Sequence, residues 1–378
     1  MTNVFLVRHA EAEGNLYRRI RHYNSTITEN GRRQLQALAK RFESVHLDAA
    51  YSSDLYRART TAEAVCAPHN LTVTLDPRLR EVGMGQWEDQ PWALAARNDP
   101  EQARNFGKNH LAWNVPGAER YADAAARFSS AVFELANKHE GETIAIFAHG
   151  SVIRTFLCLA SGLPLTEMKK IHHSDNTGVS LLEIEGQSVH IVYQNDNSHL
   201  SPEISTLARQ SWWKQHQTDM DPCLWFQPLD LEQFGDVYLE ARREAWDNIH
   251  HDLTGFDGEG FLEEAKELSK ASPHCVLACM LEEEQAGILQ MNPEEDSDAL
   301  WISFFYMMPQ FRGHYMGVQL IGEAVSTCRS MERNYLRLRV STRNERAQRF
   351  YERYGFHVIG TDPGVVAPLL IMEKYIGY

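Results

Sequence analysis

Short apolar runs alternate with amphipathic segments throughout the first half of the chain. The runs with the length and composition of buried strands are residues 4–7, 49–52, 71–75, 143–148, 179–184 and 189–193. The segments between them place apolar residues at helical spacing, as in residues 31–42, 54–65, 118–138 and 151–159. Strand–helix alternation of this kind predicts an α/β fold, with a largely parallel sheet covered by helices on both faces.

The chain is long enough to form two domains, because 378 residues exceed what one hydrophobic core usually organises. Residues 194–222 interrupt the alternation with a polar stretch that contains two prolines. After it, the runs VLACML, AGILQM and LWISFFYM predict a second α/β unit with an antiparallel section. The predicted division is an N-terminal domain (1–200), a linker (201–222) and a C-terminal domain (223–378).

The composition excludes several classes of protein. Hydrophobic residues make up 43% of the chain and charged residues 23%, as in an ordinary soluble globular protein. No apolar run is long enough to span a membrane, and the first one is too short for a signal peptide. The six cysteines lack the spacing of a disulfide framework or a metal site, so we expect a reducing cytoplasm.

The negative charge is concentrated in the second half. Residues 1–200 hold 21 Lys or Arg and 23 Asp or Glu, so residues 201–378 carry −12 of the net charge of −14. This balance argues against nucleic acid as a partner, since phosphate binding needs a basic surface. It is compatible with a cationic substrate, although a solvated acidic surface is the simpler cause.

Two of the predicted strands end at a histidine. Arg8 and His9 follow the first strand, and His149 follows the strand 143–148. Because sites in open α/β sheets gather at the carboxyl ends of strands, we expect both histidines at one edge of the sheet. Arg57 and Asn15 would complete a set of donors suited to a phosphoryl group. A neutral imidazole among such donors can act as a nucleophile.

Five segments, in this order, resemble the motifs of the histidine phosphatase, or phosphoglycerate mutase-like, superfamily. They are RHAEAEGN, TENGRRQLQALA, YSSDLYRARTTA, LREVGMGQWED and IAIFAHGSVIR. The first differs from the family's R-H-G-E-x-x-x-N in Ala10, which replaces a glycine. The resemblance implies a phosphoglycerate mutase-like three-layer α/β/α sandwich over nearly all of residues 1–200.

The resemblance also implies roles for the matched residues. His9 is the nucleophile that becomes phosphorylated. Arg8, Arg57 and His149 hold the phosphate, and Asn15 assists. No metal or other cofactor is required by this scheme.

The same resemblance makes Glu81 the acid that protonates the leaving oxygen and then activates water. Glu88, in the same loop, is a second carboxylate that keeps this assignment open. The candidates for substrate binding are Ser151, Arg21 and His22. Glu11 and Glu13 are expected to be solvated loop acids. Four histidines match no motif and are expected in loops or at the surface: His172, His173, His250 and His251.

The superfamily contains both phosphatases and mutases. Mutases usually carry extra lid segments around the pocket, whereas here GQWEDQPW follows Glu81 closely, as in the phosphatase branch. We therefore predict hydrolysis of a small phosphorylated metabolite, with a phosphoglycerate mutase-type reaction as the alternative.

In the second half, YMMPQFRGHYMGVQLIGEA runs from a strand through a glycine-containing loop into a helix. Backbone N–H groups and the helix N-terminus favour anions there, so the loop is a candidate pyrophosphate cradle. Together with the later TRNERAQRFYERYGFHVIG, this order resembles the GNAT acyltransferases, which use acetyl-coenzyme A. The resemblance covers about residues 223–378 and implies the GNAT (acyl-CoA N-acyltransferase) α/β fold.

By this resemblance, a set of loop and strand residues would bind the cofactor: Met307, Arg312, Gly313, His314, Tyr315, Met316, Gly317, Asn344 and Ala347. Tyr351 would protonate the departing thiolate. Tyr315 replaces a customary glycine, and WISFFYMM lacks the carboxylate that the family often uses as a base. The acetyl acceptor would be a small amine or a protein amine. The alternative is a C-terminal module that senses acyl-coenzyme A without catalysis.

Overall fold

The computed structural model describes residues 1–20, 25–210 and 222–377. The chain divides into two compact units. The first comprises Met1–Gln90 with Ala95–Asp221, and the second comprises Pro91–Leu94 with Pro222–Tyr378. Each unit is built on one mixed β-sheet with helices, as the sequence predicts for two α/β folds.

The sheet of the first unit has six strands in the order β3-β2-β4-β1-β5-β6. These are β1 (Thr2–Arg8), β2 (Ala49–Ser52), β3 (Val73–Leu75), β4 (Thr143–Ala148), β5 (Val179–Glu185) and β6 (Ser188–Asp196). The strands β3, β2, β4 and β1 are parallel, and β5 and β6 extend the sheet in antiparallel pairing. The carboxyl ends of three adjacent strands therefore meet at one edge.

Seven α-helices are described between Met1 and Gln210: α1 (Glu13–Tyr17), α2 (Glu29–Phe42), α3 (Tyr56–Cys66), α4 (Trp92–Asn98), α5 (Pro100–Lys108), α6 (Tyr121–Lys138) and α7 (Gly150–Ala160). Helix α2 begins after Thr28, whose hydroxyl accepts the Gly31 N–H at 2.9 Å as an N-cap. The sequence analysis did not predict α4 and α5.

The central strands of this sheet are buried on both faces. All four residues of Ile144–Phe147 are fully buried, and Phe147 packs in one cluster with Phe5, Leu38 and Phe42. Burying a side chain such as Phe or Leu contributes roughly 1.5–3 kcal/mol. The strands that carry the histidines are therefore firmly held.

The second unit has a seven-stranded sheet in the order β12-β13-β11-β10-β9-β8-β7. Its strands are β7 (Trp225–Pro228), β8 (Val276–Leu281), β9 (Glu284–Asn292), β10 (Ala299–Met307), β11 (Tyr335–Ser341), β12 (His357–Asp362) and β13 (Leu369–Tyr375). Its helices are α8 (Leu231–His250), α9 (Gly258–Ala271), α10 (Gly317–Ser330) and α11 (Glu345–Arg353). Asp230 caps α8, with its side chain accepting the N–H groups of Glu232 and Gln233.

The parallel neighbours β10 and β11 separate along their length. They pair from Ala299 to Ile302 on β10, opposite Tyr335 to Leu338 on β11, and not beyond. Strand β10 continues to Met307 and stays paired with β9 on its other side. The last residues of β10 thus face an opening between two parallel strands, at their carboxyl ends.

Candidate functional site

Three adjacent strands bring two imidazoles and a hydroxyl to the same edge of the first sheet. The His9 N–H donates to the Ala148 carbonyl at 3.0 Å, and the rings of His9 and His149 lie 5.2 Å apart between centroids. Ser53, which follows β2, places its Oγ 2.9 Å from His149 Nε2. The sequence analysis expected the two histidines together, but it did not identify Ser53.

The His9 imidazole has a defined tautomer and is buried. Its Nδ1 lies 2.7 Å from the Ala10 carbonyl, which can only accept, so the proton is on Nδ1 and the lone pair on Nε2. Burial, reinforced by the charges of Arg57 and Arg8, holds the pKa of His9 well below its usual value. The Arg57 Nε donates to His9 Nε2 at 3.3 Å. The His9 imidazole is therefore neutral, and its Nε2 lone pair faces a guanidinium, an arrangement in which the nitrogen can act as a nucleophile.

The Arg8 guanidinium uses only part of its hydrogen-bonding capacity within the protein. Its Nη1 donates to the Ser174 carbonyl at 2.5 Å, whereas its buried Nε has no hydrogen-bond partner among the described residues. Burial lowers the pKa of Arg8, and the carboxylates of Asp175 and Glu81 oppose that shift. A Cβ on Gly150 would lie only 3.2 Å from the Arg8 Nε. A buried N–H donor without a partner fits a site that receives an anion.

Arg57 is the second buried cation and is held by its own helix. The Thr61 hydroxyl donates to the Arg57 carbonyl at 2.6 Å and accepts the Ala10 N–H at 3.0 Å, which joins α3 to the loop after His9. Burial lowers the pKa of Arg57 to about 10, and Glu81 and Glu88 oppose that shift. Both predicted arginines therefore reach the same site.

The loop of residues 174–177 completes the site and was missed by the sequence analysis. The Asn176 Nδ2 donates to the His9 carbonyl at 3.0 Å and to Asn15 Oδ1 at 3.4 Å. The Thr177 N–H also donates to the His9 carbonyl, at 3.2 Å. All four loop residues are buried. The polar run SDNT just before β5 was the available signal.

Glu81 lies at the N-terminus of the helix that follows His149. Its Oε2 accepts the Ser151 N–H at 3.0 Å, and its Oε1 accepts the Val152 N–H at 3.3 Å. The Arg127 Nη2 donates to the Glu81 carbonyl at 2.9 Å, which fixes the backbone of the loop. The carboxylate is thus held at the start of the helix that follows His149, and the predicted residue Ser151 contacts it through its backbone.

The expectation that Glu11 and Glu13 are solvated is wrong, because they are only 4% and 3% exposed. Glu11 accepts hydrogen bonds from the hydroxyls of Thr28 at 2.7 Å and Thr206 at 2.9 Å. The Thr26 N–H lies 3.4 Å from Glu13 Oε2. Hydrogen-bond donors that are distant in sequence satisfy these carboxylates. The spacing of the motif does not reveal such donors.

Residues 204–207, within the predicted linker, are part of the first unit and contact its buried acids. Ser205 Oγ donates to Asp175 Oδ2 at 2.6 Å, and the Leu207 N–H donates to Asp175 Oδ1 at 3.1 Å. The Ile204 carbonyl accepts from the Gln34 side chain at 2.7 Å. We refer to residues 204–207 as the docking segment. The predicted contacts Arg21 and His22 lie outside the described residues.

In the second unit, the predicted cofactor loop of residues 312–316 lies directly before α10. Gly313 has φ +86°, and a Cβ added there would meet no other atom within 4 Å. Helix α10 begins at Gly317, where an added Cβ would lie 3.2 Å from the Phe350 ring. His314 is exposed and Met316 is buried. Tyr315 has φ +56°, a conformation that favours glycine, and its side chain is 81% exposed. The tyrosine therefore points into solvent.

The Arg312 side chain pairs with a carboxylate. Its Nη1 and Nη2 donate to Glu244 of α8 at 2.9 and 2.7 Å, and its Nε donates to the Met307 carbonyl at 2.8 Å. Burial and the hydrogen bond to Glu244 raise the pKa of Tyr306 to about 12. Helix α8 thus supplies a carboxylate, Glu244, where β10 has none, but that carboxylate is paired with Arg312.

The remaining predicted cofactor residues lie along α11. Asn344 caps this helix, with its Oδ1 accepting the Ala347 N–H at 3.1 Å. Tyr351 is 7% exposed, and its ring packs against Phe305 and Phe356. Burial raises the pKa of Tyr351, so its hydroxyl is protonated at neutral pH.

Residues 1–20, 25–210 and 222–377 contain neither a membrane-spanning helix nor a cluster of metal ligands. No helix there is both long and apolar enough to cross a membrane. No group of three or more His, Cys, Asp or Glu side chains there is placed to hold a metal ion.

The chain is similar to known proteins in both halves. A sequence model of the histidine phosphatase superfamily (branch 1) matches residues 4–197, and one of the acetyltransferase (GNAT) family matches residues 232–356. Phosphoglycerate mutase-like protein 4 of Arabidopsis thaliana is 31% identical over 202 residues, which are 52% of this chain and 86% of that protein. The metal-independent phosphoserine phosphatase of the same plant is 30% identical over 208 residues, 53% of this chain and 84% of that protein.

A solved structure supports the predicted fold of the first half. The YhfR protein of Bacillus stearothermophilus is 32% identical, with a TM-score of 0.51, and the match covers 53% of this chain and 99% of that one. The phosphoglycerate mutase-like α/β fold and the C-terminal GNAT domain are thus confirmed. The histidine phosphatase model matches residues 4–197, about half of the chain, and the GNAT model matches residues 232–356. The chain therefore belongs to the histidine phosphatase superfamily and carries a GNAT acetyltransferase domain after the phosphatase part.

Proposed function

We propose that the N-terminal domain hydrolyses small phosphomonoesters through a phosphohistidine formed on His9. The observation that carries this proposal is a buried, neutral His9 whose Nε2 faces Arg57, next to an Arg8 with an unsatisfied buried N–H. Two cations around a neutral nucleophile attract a phosphate dianion and leave the nitrogen lone pair available.

In the proposed reaction, His9 Nε2 attacks phosphorus as the bond to the substrate oxygen breaks. Arg8, Arg57 and His149, assisted by Asn15, hold the non-bridging oxygens. Glu81 gives its proton to the leaving oxygen and then, as a carboxylate, takes a proton from water. The water oxygen attacks phosphorus and the phosphorus–nitrogen bond breaks. Inorganic phosphate leaves, and His9 returns to its neutral form.

The first prediction separates hydrolysis from isomerisation. The full-length protein should release inorganic phosphate from L-phosphoserine in the presence of a metal chelator and without a bisphosphate activator. Phosphoserine is the first choice because a relative that is 30% identical is named a metal-independent phosphoserine phosphatase. The measurement is phosphate release with time, with 3-phosphoglycerate as a parallel substrate.

A mutase is the second candidate, favoured by the 31% identity to a phosphoglycerate mutase-like protein. If 3-phosphoglycerate is isomerised faster than phosphate is released, the mutase function replaces the proposed one. Failure of every phosphomonoester tested to react would contradict both.

We also propose that the C-terminal domain binds acetyl-coenzyme A and transfers the acetyl group to an amine. The residues fit this cofactor: β10 and β11 part at their carboxyl ends, and the loop of residues 312–317 leads its backbone into the N-terminus of α10. When bound, the cofactor supplies an activated thioester. Tyr351, protonated and buried, would give a proton to the departing sulfur.

A non-catalytic acyl-coenzyme A sensor is the alternative for this domain. It is favoured by the pairing of Glu244 with Arg312, which engages the Glu244 carboxylate in an ion pair. Transfer of the acetyl group to a small amine or a protein amine would exclude the sensor. Binding without transfer across a broad amine panel would support it.

The second prediction concerns Tyr315→Gly. Because Tyr315 has φ +56° and an exposed side chain, glycine should relieve backbone strain of about 1 kcal/mol and leave the cradle open. We expect a higher melting temperature, and acetyl-coenzyme A should bind the full-length protein at least as tightly as it binds the wild type. Calorimetric titration measures the affinity. Tyr335→Gly is the control, because Tyr335 lies in the paired part of β11 and not in the left-handed conformation. Weaker binding by Tyr315→Gly would mean that the tyrosine itself contacts the cofactor.

We propose a reducing, cytoplasmic compartment for the protein. All six cysteines are free thiols, and five of them are buried. Unpaired cysteines of this number are typical of reducing compartments.

A further inference from the structure

A carboxylate from helix α8 lies beside the end of β10 that is not paired with β11. Strand β10 itself contains no acidic residue. Its pairing with β11 stops at Ile302, and the hydroxyl of Tyr306, farther along the strand, donates a hydrogen bond to the Glu244 carboxylate. The Glu244 side chain is 31% exposed, so a ligand can approach it from solvent. Glu244 is therefore a candidate for the base that β10 does not provide.

The same carboxylate is held by the predicted cofactor loop. Arg312 is the first residue of this loop, and its two terminal nitrogens donate to the Glu244 oxygens at 2.9 and 2.7 Å. Its Nε donates to the Met307 carbonyl at 2.8 Å, which anchors the guanidinium at the end of β10. A guanidinium that makes two parallel hydrogen bonds to a carboxylate can make the same two bonds to a phosphate. Glu244 and an anion in the loop would thus compete for one arginine.

The ion pair between Arg312 and Glu244 can separate without disrupting the sheet. It joins a loop to a helix, and both side chains are partly exposed. The pair of Arg337 with Glu373 differs, because it joins two strands that are hydrogen-bonded to each other at these positions. Ion pairs that water reaches contribute little to stability, so exchanging Glu244 for another anion has a small cost.

Separation of the pair would make Glu244 more basic. The hydrogen bonds from Arg312 are the main cause that holds the pKa of Glu244 below its usual value. Partial burial acts in the opposite direction, while hydrogen bonds from Tyr306 and Asn248 add to the lowering. Without Arg312 the pKa of Glu244 would therefore rise, and the carboxylate would hold a proton more strongly. The paired carboxylate is thus a weak base, and the released one is a stronger base.

We infer that Glu244 is the general base of the C-terminal domain and that Arg312 keeps it engaged until the loop of residues 312–317 binds the anionic cofactor. This inference rests on the proposed acetyltransferase function and adds the residue that activates the acceptor. The released Glu244 Oε2 takes a proton from the ammonium group of the acceptor. The N–H bond breaks, the O–H bond forms, and the neutral amine keeps the electron pair. The proton then passes to water. The acceptor is therefore an amine that arrives as a cation, the form that a carboxylate attracts.

The first test measures the binding of acetyl-coenzyme A to the full-length protein by calorimetric titration. Glu244→Gln should bind up to about fivefold more tightly than the wild type, because Arg312 no longer has to leave a carboxylate. Arg312→Gln should bind more weakly than the wild type. Glu240→Gln is the control, since it removes the same charge from an exposed position one turn earlier on α8 and should bind as the wild type does. If Glu244→Gln binds no more tightly than the wild type, at an unchanged melting temperature, the inference is overturned.

The second test measures acetyl transfer to the best acceptor from a panel of small amines and peptides. At saturating acetyl-coenzyme A, Glu244→Gln should lower kcat by about 10²–10⁴-fold, and Glu244→Asp should retain part of the activity. The defect should shrink at high pH, where the acceptor loses its proton unaided. A purely structural role for Glu244 would not combine tighter binding with slower transfer. If Glu244→Gln keeps near-normal kcat, the inference is overturned and the transferase function stands. If the wild type binds acetyl-coenzyme A but acetylates no amine, the transferase function itself fails, and the general base with it.

Discussion

Replacing His9 with alanine should abolish phosphomonoester hydrolysis, with a loss of kcat on the order of 10⁴-fold or more. The reason is chemical, since alanine has no atom that can form the bond to phosphorus and no neighbouring side chain presents a neutral nitrogen in its place. His149 is the nearest other imidazole, and its Nε2 is engaged with Ser53 Oγ at 2.9 Å. Steady-state phosphate release measures the loss.

The wild-type protein should also trap the intermediate. After rapid mixing with substrate and alkaline quenching, mass spectrometry should locate an acid-labile phosphoryl group on His9. His46→Ala is the matched control, because that histidine is 84% exposed on the surface and should turn over normally. An unchanged melting temperature would show that His9→Ala is folded. If folded His9→Ala kept near-normal turnover, the phosphohistidine mechanism would be excluded.

Glu81→Gln should lower kcat by about 10²–10⁴-fold, the range that a positioned proton donor contributes. Glutamine keeps the acceptor oxygen for the N–H groups of Ser151 and Val152, so the loop should stay in place while proton transfer is lost. The defect should shrink for aryl phosphates, whose leaving groups need less protonation. Because breakdown of phospho-His9 still needs a base, phosphohistidine should then accumulate.

Glu88→Gln is the natural comparison, since Glu88 is the second carboxylate of this loop and also acts on the pKa of Arg57. We expect a smaller effect from Glu88→Gln, because the Glu81 carboxylate is the one held at the N-terminus of α7 beside His149. If Glu88→Gln had the larger effect, with the same dependence on the leaving group, the assignment of the acid would move to Glu88.

The sequence predicted the strands of the first sheet well because they are buried on both faces. The predicted strands 49–52 and 143–148 coincide with β2 and β4, where a continuous apolar run has no other stable place. Since His9 and His149 directly follow such strands, their meeting could also be predicted. The two helices at Trp92–Asn98 and Pro100–Lys108 were missed. Both are short, with seven and nine residues, and their apolar residues are partly buried at most, apart from Ala95.

What could not be predicted was mainly pairing between residues that are distant in the chain. Asn176 reaches the His9 carbonyl across 167 positions, and Thr206 reaches Glu11 across 195. A single sequence shows that these residues are polar but not which partner they find in the fold. Glu11 was therefore expected in solvent, although the structure buries it.

The docking segment also bears on how far the first domain is self-sufficient. The family likeness ends at residue 197, and the predicted domain ended at residue 200. A chain cut there would lose the hydroxyls of Ser205 and Thr206 and leave Asp175 and Glu11 buried with fewer donors. Each buried acceptor that loses its partner costs about 1–3 kcal/mol, and more when it is charged, which is a large part of the stability of an ordinary domain. Glu11 lies two residues after His9 and Asp175 belongs to the loop that contacts His9, so the segment that the family model matches depends for its integrity on a stretch that lies beyond the match.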